Sequence, residues 1–286
     1  EWQAGATRQL QHAGVRLLVA DPAALSAVGP CLEPARATAV RSDALLGAGE
    51  LELEALPSQL ALLQFSSGST GEQKAVSLTH ENLLHQLLAI RDGTPFPPAG
   101  RPVCVSWLPL FHDMGLIGCL LGYLHFPGDV VLMRPEQFLA RPALWLQAVS
   151  RFTGTFSTAP NFAYALCTQR IKDEELAGVD LSSWDSVLCG AEPIHAETLE
   201  AFIARFSRWG LRRDVVRPVY GLAEATLAVT FTPRRGEVRT LAVDEEALAS
   251  SGQVAPGRRR VVSCGAPVTG VSVEVRDGEG RALPEG

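Results

Sequence analysis

The sequence has no Cys-x-x-Cys pair, no internal repeat and no long uninterrupted apolar run. The longest stretch without Asp, Glu, Lys or Arg is Phe152–Gln169, which glycine, proline, asparagine and several hydroxyl residues interrupt. It therefore lacks the ~20 mostly apolar residues that a membrane span needs. Lys and Arg number 25 against 31 Asp and Glu, a net charge of −6, which argues against a nucleic-acid surface. With no signal peptide and no initial methionine, we expect a soluble, cytoplasmic piece of a longer chain.

The six cysteines lack the spacing of a metal site, and no histidine accompanies them at ligand spacing. Four of them lie inside apolar runs, where a free thiol behaves as a small hydrophobe. These four are Cys104, Cys119, Cys167 and Cys189. We expect reduced cysteines that pack in a core; nothing in the pattern supports a catalytic thiol.

The chain of 286 residues, 47% apolar and 20% charged, has an ordinary globular composition with room for one large domain or two smaller ones. Short apolar runs predict strands at Leu60–Phe65, Val76–Leu78, Val103–Trp107, Asp129–Met133, Thr155–Ser157, Val187–Cys189 and Val215–Tyr220. Helical patterns are predicted at Glu81–Asp92, Pro142–Arg151, Asn161–Ile171 and Ala196–Trp209. The first of these helices would bury Leu83, Leu84, Leu87, Leu88 and Ile90. Because strands and helices alternate, we predict an α/β fold with mainly parallel sheets covered by helices on both faces.

The last part of the chain has a different pattern. Val271, Val273 and Val275 alternate with polar residues, and turn-forming residues follow at 277–280. This predicts a half-exposed hairpin that starts a small antiparallel β subdomain. The irregular stretch Pro233–Arg260 marks the boundary, so we expect an α/β core at 1–232, a connecting segment at 233–260 and the β subdomain from 261 to 286.

A loop of small residues joins two of the predicted strands. It contains Ser66, Ser67, Gly68, Ser69, Thr70 and Gly71, and Lys74 follows. The backbone N–H groups of such a loop can wrap an anion, and the lysine adds positive charge. Its spacing is not that of a Walker A loop. Because the loop lies between two strands, we favour a phosphate loop over a flexible linker.

Three more loops follow predicted strands, at the position where open α/β sheets place ligands. One carries His112 and Asp113, although a histidine satisfied within the core would fit as well. The loop Gly190–Pro193 has small residues that allow a flat group to approach the backbone, or it is a plain strand-to-helix turn. The third, Tyr220–Glu224, combines an aromatic ring, a glycine and a carboxylate. That carboxylate is a candidate Mg²⁺ ligand beside phosphates, or a solvated acid at a helix start.

These motifs resemble those of the adenylate-forming superfamily of acyl- and aminoacyl-activating enzymes. The segment Ser66–Lys74 is similar to its phosphate loop, Gly190–Pro193 to its adenine-binding loop, and Tyr220–Glu224 to its Tyr-Gly-…-Glu motif. Within the superfamily the chain most resembles the fatty acyl-AMP ligases, from about residue 10 to its end. The specific marks are Ser106–Gly118 (SWLPLFHDMGLIG), Ala159–Cys167 (APNFAYALC), Tyr220–Thr226 (YGLAEAT) and the long stretch before Cys264–Pro267, which resembles the ligases' insertion.

The resemblance implies that ATP and Mg²⁺ activate a fatty acid as acyl-AMP, which an acyl carrier protein then accepts on its thiol. Catalytic roles fall on Glu224, His112 and Lys74, with Glu224 also holding Mg²⁺. Nucleotide binding falls on Ser66, Ser67, Gly68, Ser69, Thr70, Gly71, Gly190, Ala191, Glu192, Pro193, Tyr220, Gly221, Leu222 and Ala223. Candidates for the acyl pocket are Met114, Gly115, Asn161 and Phe162, which core packing explains equally well.

The sequence departs from the superfamily pattern in places. Gln73-Lys74-Ala75 stands where many relatives have Pro-Lys-Gly, and Ala223 stands where most have threonine, although alanine is usual in the fatty acyl-AMP ligases. By the resemblance, the small domain with its catalytic lysine and the ribose-binding aspartate would follow Gly286. Three alternatives stay open: an acyl-CoA synthetase, an amino-acid adenylation domain with Asp113 as its ammonium ligand, and a non-catalytic nucleotide-binding scaffold.

Overall fold

The computed structural model describes residues 2–45, 54–66, 74–94, 101–252 and 254–283. The chain divides into two compact units, Glu1–Ser77 and Leu78–Gly286. In the first unit a parallel pair, β1–β2, is connected by α2, and β3 pairs with β4. Helix α2 begins where Asp21 accepts a hydrogen bond from Ala24 N and Pro22 takes the first helical position. The elements are α1 (Trp2–His12), β1 (Leu17–Ala20), α2 (Pro22–Ala35), β2 (Thr38–Arg41), β3 (Leu60–Ser66) and β4 (Lys74–Thr79).

The second unit is built on a seven-stranded sheet. Its strands are β5 (Val103–Ser106), β6 (Asp129–Leu132), β7 (Phe156–Ala159), β8 (Ser186–Cys189), β9 (Val216–Gly221), β10 (Ala228–Phe231) and β13 (Ala266–Pro267). The spatial order is β13-β10-β9-β8-β7-β5-β6; the five strands from β6 to β9 are parallel, and β10 pairs antiparallel with both its neighbours. The predicted α/β class with a mainly parallel sheet is confirmed.

Helices flank this sheet. They are α3 (His80–Gly93), a π-helix (Met114–Leu121), α4 (Gly122–His125), α5 (Pro135–Ala140), α6 (Ala143–Arg151), α7 (Asn161–Arg170) and α8 (Ala196–Phe206). Helix α8 buries the i, i+3, i+4, i+7 series that predicted it, Leu199, Phe202, Ile203 and Phe206, and Gly210 follows its last turn with φ of 87°. No helix within the described ranges is long and apolar enough to cross a membrane.

The prediction for the buried face of α3 was partly wrong. Leu87 and Ile90 are buried, but Leu84 and Leu88 are exposed. The polar Gln86 is buried instead, at 6% exposure, together with Ala89. At 100° per residue the five apolar residues spread over about 160° of the helix circumference, which is wider than the stripe that this helix buries. The tertiary neighbours select the face.

An aromatic cluster forms the centre of the second unit. The ring of Trp145 meets those of Trp184 and Tyr164 edge to face, at 5.2 and 5.9 Å between centroids. Tyr164 keeps its hydroxyl satisfied by donating to Leu188 O at 2.6 Å. All six cysteines are free, and five of them are buried. Burial raises the pKa of the Cys167 and Cys189 thiols, which fits the predicted packing role.

The stretch 233–260 is more ordered than its sequence indicated. It contains β11 (Thr240–Val243) and α9 (Glu245–Ser251), and β12 (Arg259–Val262) closes an antiparallel pair with β11. Val243 is buried at 2% exposure, whereas Leu241 and Val254 are exposed. Arg260 forms ion pairs with Glu200 at 2.7 Å and Glu197 at 3.4 Å. The segment thus contacts α8 through β12 and the ion pairs of Arg260.

The predicted terminal hairpin forms only at its turn. Asp277 N donates to Arg281 O at 2.9 Å, and Leu283 N donates to Val275 O at 2.8 Å. Arg276 and Ala282 make a single β-bridge. Residues 271–275 form no strand, and Val273 and Val275 are exposed. Alternation predicts a strand only where a second strand is present to pair with it.

Candidate functional site

Four loops meet at one edge of the seven-stranded sheet. They follow β5, β7, β8 and β9, which are parallel and contiguous in the sheet. The carboxyl ends of parallel strands share an edge, where open α/β sheets bind ligands. These loops carry His112, Asn161, Gly190–Pro193 and Tyr220–Glu224, so the structure brings most of the predicted site residues together.

The predicted phosphate loop is described only at its ends. Ser67, Gly68, Ser69, Thr70 and Gly71 lie outside the described residues. Ser66 ends β3, and Lys74 begins β4 with an exposed side chain. Both lie in the first unit.

His112 and Asp113 form a hydrogen-bonded pair after β5. Nδ1 of His112 lies 2.7 Å from Oδ1 of Asp113. Met114 N donates to the same carboxylate oxygen at 2.6 Å, so the proton between ring and carboxylate belongs to Nδ1. This hydrogen bond, and then the charge of Asp113, raise the pKa of His112 against the opposing effect of burial. The imidazole is half exposed, so its Nε2 is the nitrogen available to a ligand.

Asp113 itself is only 7% exposed, and its Oδ1 is the oxygen that His112 and Met114 N contact. A carboxylate that binds a substrate ammonium must keep an oxygen accessible. The geometry therefore disfavours the alternative of an amino-acid activator with Asp113 as its ammonium ligand. The sequence placed Asp113 beside the site but did not show that it fixes the tautomer of the histidine.

The π-helix that follows contains two of the acyl-pocket candidates. Met114 is buried at 7% exposure, and its sulfur accepts a hydrogen bond from Thr158 Oγ1 at 3.1 Å. At Gly115 a Cβ would lie 2.4 Å from Pro109 O, so only glycine fits. Phe162 is exposed and meets Trp107 edge to face at 6.0 Å. π-helical turns are rare and often lie at functional sites.

The loop after β8 is linked to the start of α7 by two hydrogen bonds. Glu192 Oε1 accepts from Phe162 N at 2.6 Å, and Asn161 Oδ1 accepts from His195 N at 3.1 Å. A Cβ at Gly190 would lie 3.0 Å from Val219 O. Ala191 has a φ of 69°, an uncommon conformation for a residue with a Cβ. The side chain of Glu192 therefore supports a helix, while Gly190 and Ala191 present the backbone.

The turn after β9 is strained. A Cβ at Gly221 would lie 2.0 Å from Leu227 O, and Leu222 N donates to that oxygen at 2.8 Å. Thr226 adopts φ of 72° and ψ of −51°, which is costly for a β-branched residue and occurs where surrounding structure enforces it. Ala223 is buried, and Tyr220 and Glu224 are exposed at the edge.

Gln86 is a residue that the sequence patterns missed. Its Oε1 accepts hydrogen bonds from Leu227 N and Ala228 N, at 3.2 and 3.1 Å. The only available signal was a polar residue between apolar positions of a helix. That signal is weak, because polar side chains at such positions are usually solvated.

No group of three or more potential metal ligands occurs among the described residues. Glu224 forms no ion pair with a described residue. A single carboxylate of this kind suits Mg²⁺, which keeps several waters and takes one or two protein ligands beside phosphate oxygens. It does not suit a structural zinc site.

The fold and this edge define an α/β protein with a candidate ligand site at the carboxyl ends of parallel strands. The family model described as AMP-binding enzyme matches residues 4–286. The chain belongs to this family, and the predicted membership of the adenylate-forming superfamily is confirmed.

Two of the relatives are fatty-acid ligases by name. The chain is 42% identical over 223 residues to the medium-chain-fatty-acid–[acyl-carrier-protein] ligase JamA of Moorena producens, covering 76% of this chain and 37% of the relative. It is 40% identical over 201 residues to the long-chain-fatty-acid–AMP ligase FadD23 of Mycobacterium tuberculosis, covering 68% and 34%.

Solved structures of fatty acyl-adenylate ligases have a similar fold. A structure from a study of fatty acyl-adenylate ligases of E. coli and L. pneumophila superposes with a TM-score of 0.92 at 32% identity, covering 99% of this chain and 53% of that one. The L. pneumophila ligase in complex with acyl adenylate and pyrophosphate gives 0.85 at 32% identity, covering 96% and 49%. The chain spans 30% to 43% of the length of the first three curated relatives.

Proposed function

We propose that the protein containing this chain activates a fatty acid with ATP. A fatty carboxylate oxygen attacks the α-phosphorus of ATP, the bond from that phosphorus to the bridging oxygen breaks, and acyl-AMP and pyrophosphate form. The thiol of an acyl carrier protein then takes the acyl group, and AMP leaves. The observation that supports this most is the loop edge itself, where a half-exposed histidine, an exposed tyrosine and an exposed carboxylate with no ion pair to a described residue follow parallel strands.

The reaction joins one anion to a polyanion, so positioning and charge neutralisation provide most of the catalysis. The Nε2 of His112 stands at the junction of fatty carboxylate and α-phosphate. Its raised pKa favours the protonated form, which donates a hydrogen bond to the oxygens there. Asp113 is the positioning residue that keeps Nδ1 protonated.

The nucleotide would lie across the loops after β8 and β9. Gly190, Ala191 and Pro193 present backbone to the adenine, and the exposed ring of Tyr220 stacks on it. Glu192 contributes its backbone and aliphatic stem, since its carboxylate is held by Phe162 N. From the sequence resemblance alone, the segment Ser66–Gly71 with Lys74 would bind the β- and γ-phosphates. Gly221, Leu222 and Ala223 would shape the turn.

Glu224 would hold Mg²⁺, which neutralises phosphate charge when bound. The acyl chain would lie along the wall formed by the π-helix and the start of α7. Phe162 is the exposed member of that wall, and Asn161 is occupied by His195 N. Met114 and Gly115 shape the wall from behind, since both are buried.

Exchange of radiolabelled pyrophosphate into ATP by the full-length protein tests the proposal. We expect exchange that depends on a medium- or long-chain fatty acid, and acyl transfer to a phosphopantetheinylated carrier protein in preference to CoA. Exchange driven by an amino acid, with none from any fatty acid, would overturn the assignment of substrate. Nucleotide binding without exchange for any acid would favour the non-catalytic scaffold.

A further inference from the structure

Gln86 is a buried amide that touches the turn carrying Glu224. It lies in the middle of α3 at 6% exposure. Its oxygen accepts from Leu227 N at 3.2 Å and from Ala228 N at 3.1 Å, residues more than 140 positions away in the sequence. These two N–H groups come directly after the strained Thr226, at the start of β10.

The β9–β10 ladder is irregular at this point. Ala228 pairs with Gly221 and Thr230 pairs with Tyr220, so the register shifts between Ala228 and Thr230. On the other side of the turn, Leu222 N is bound to Leu227 O. The amide oxygen of Gln86 therefore supplies an acceptor to two backbone N–H groups beside this irregularity, and buried backbone N–H groups require one.

The nitrogen of the Gln86 amide, unlike its oxygen, makes no hydrogen bond with a described residue. The Nε2 atom of Gln86 is buried and has no hydrogen-bond partner among the described residues. An unpaired buried donor is unfavourable. An apolar side chain of equal length would remove that donor, but it would also take the side-chain acceptor from two backbone N–H groups. The oxygen is thus the useful part of the side chain.

We propose that Gln86 is a positioning residue for Glu224. By holding residues 227 and 228, it keeps the Leu222–Leu227 turn in its strained form and keeps Glu224 aimed at the loop edge. The inference rests on the proposed function for its effect on catalysis. The inference that Gln86 fixes the conformation of the turn does not depend on the proposed function.

The test compares substitutions at one position in the full-length protein. Gln86→Met keeps length and removes the acceptor; Gln86→Glu keeps the acceptor oxygen; Ile90→Val is a matched control on the same helix, also buried. We expect Gln86→Met to lower kcat for fatty-acid-dependent exchange by about 10²-fold, the scale of a displaced catalytic group. The KM for fatty acid should stay within a few-fold, and Gln86→Glu should recover most of kcat. Ile90→Val should match wild type.

Hydrogen–deuterium exchange over residues 222–230 gives a readout that needs no activity. We expect faster exchange at Leu227 and Ala228 in Gln86→Met and wild-type exchange in Ile90→Val. If Gln86→Met does not fold, Gln86→Asn replaces it, since the shorter side chain withdraws the oxygen by one methylene and should give the same two effects.

The two measurements test the effect of Gln86 on the turn and its effect on catalysis separately. Unchanged exchange at 227 and 228 overturns the hold on the turn. Faster exchange with unchanged kcat, or a kcat loss that Gln86→Glu does not relieve, overturns the positioning role. If the wild-type protein is inactive with every fatty acid, the proposed function is wrong, and so is the proposed effect of Gln86 on catalysis. The hydrogen-exchange measurement still tests whether Gln86 holds residues 227 and 228 in place.

Discussion

Glu192 accepts a hydrogen bond from the backbone N–H of Phe162 across a distance of 2.6 Å. The two residues follow neighbouring parallel strands, β8 and β7. The carboxylate lies at the start of α7, where the first N–H groups of a helix lack partners within the helix and negative charge is favourable. The loop proposed to flank adenine is thus fastened to the wall proposed to line the acyl chain.

Removing this link should loosen the loop. We expect Glu192→Ala to lower the free energy of unfolding by about 1 kcal/mol, as for loss of a helix cap, and to raise the KM for ATP. Glu192→Gln keeps an acceptor oxygen and should behave nearly as wild type. Urea denaturation and steady-state kinetics measure the two effects. Equal stability of the alanine and glutamine variants would show that the hydrogen bond contributes nothing.

Glu224 should be needed for chemistry and not for folding. Its side chain is exposed and forms no ion pair with a described residue, so Glu224→Gln should melt at the wild-type temperature. Loss of one electrostatic contact to developing charge typically costs about 10²–10³ in rate, and we expect a fall of that size in pyrophosphate exchange. Glu174→Gln, which changes an exposed glutamate of the 3₁₀-helix Asp173–Leu176, is the control. Activity within a few-fold of wild type would make Glu224 an ordinary surface acid.

The hydrogen bond between His112 and Asp113 should be detectable as a raised pKa when His112 is titrated. The hydrogen bond to Asp113 raises the pKa of His112, and we expect Asp113→Asn to return this pKa toward about 6.5. Histidine ring signals followed by NMR against pH measure it, and the spectrum of His112→Gln assigns the resonance. An unchanged pKa in Asp113→Asn would contradict the hydrogen bond.

The same shift makes stability depend on pH. Because the folded-state pKa lies above the unfolded value, the pair's contribution is fully present below about pH 6.5. It is lost as pH rises through the raised folded-state pKa. The wild-type protein should therefore melt at a higher temperature than His112→Gln, and this difference should be largest near about pH 5.5. The difference should become smaller as the pH rises above the folded-state pKa of His112. A difference that grows with pH would have the wrong sign.

The segment 233–260 should govern which thiol accepts the acyl group. Arg260 holds the end of the segment against α8, and residues 244–258 between β11 and β12 are the part that we expect to restrain the approach of acceptors. Val243 and Arg259 are paired across β11 and β12, so residues 244–258 can be replaced by Asn-Gly, which suits a two-residue hairpin turn. We expect the shortened protein to keep pyrophosphate exchange and to gain acyl-CoA formation.

A control for that experiment is Arg260→Gln, which leaves the segment in place and removes its charged contact with Glu200. We expect a smaller gain of acyl-CoA than in the shortened protein. If pyrophosphate exchange survives the shortening and no acyl-CoA forms, the segment does not select the acceptor.

The amino-acid sequence by itself determined the α/β class, seven strands and four helices to within a few residues, and three of the four loops at the candidate site. Local periodicity and turn residues carry that information because buried faces repeat every two residues in strands and every 3.6 in helices. Only the tertiary structure decided which face of α3 is buried, that Val271–Val275 forms no strand, and where the carboxylates of Asp113 and Glu192 point. It alone joined Gln86 to a turn more than 140 residues away. Hydrogen-bond partners distant in sequence leave no periodic trace, because the pairing depends on how separate elements pack.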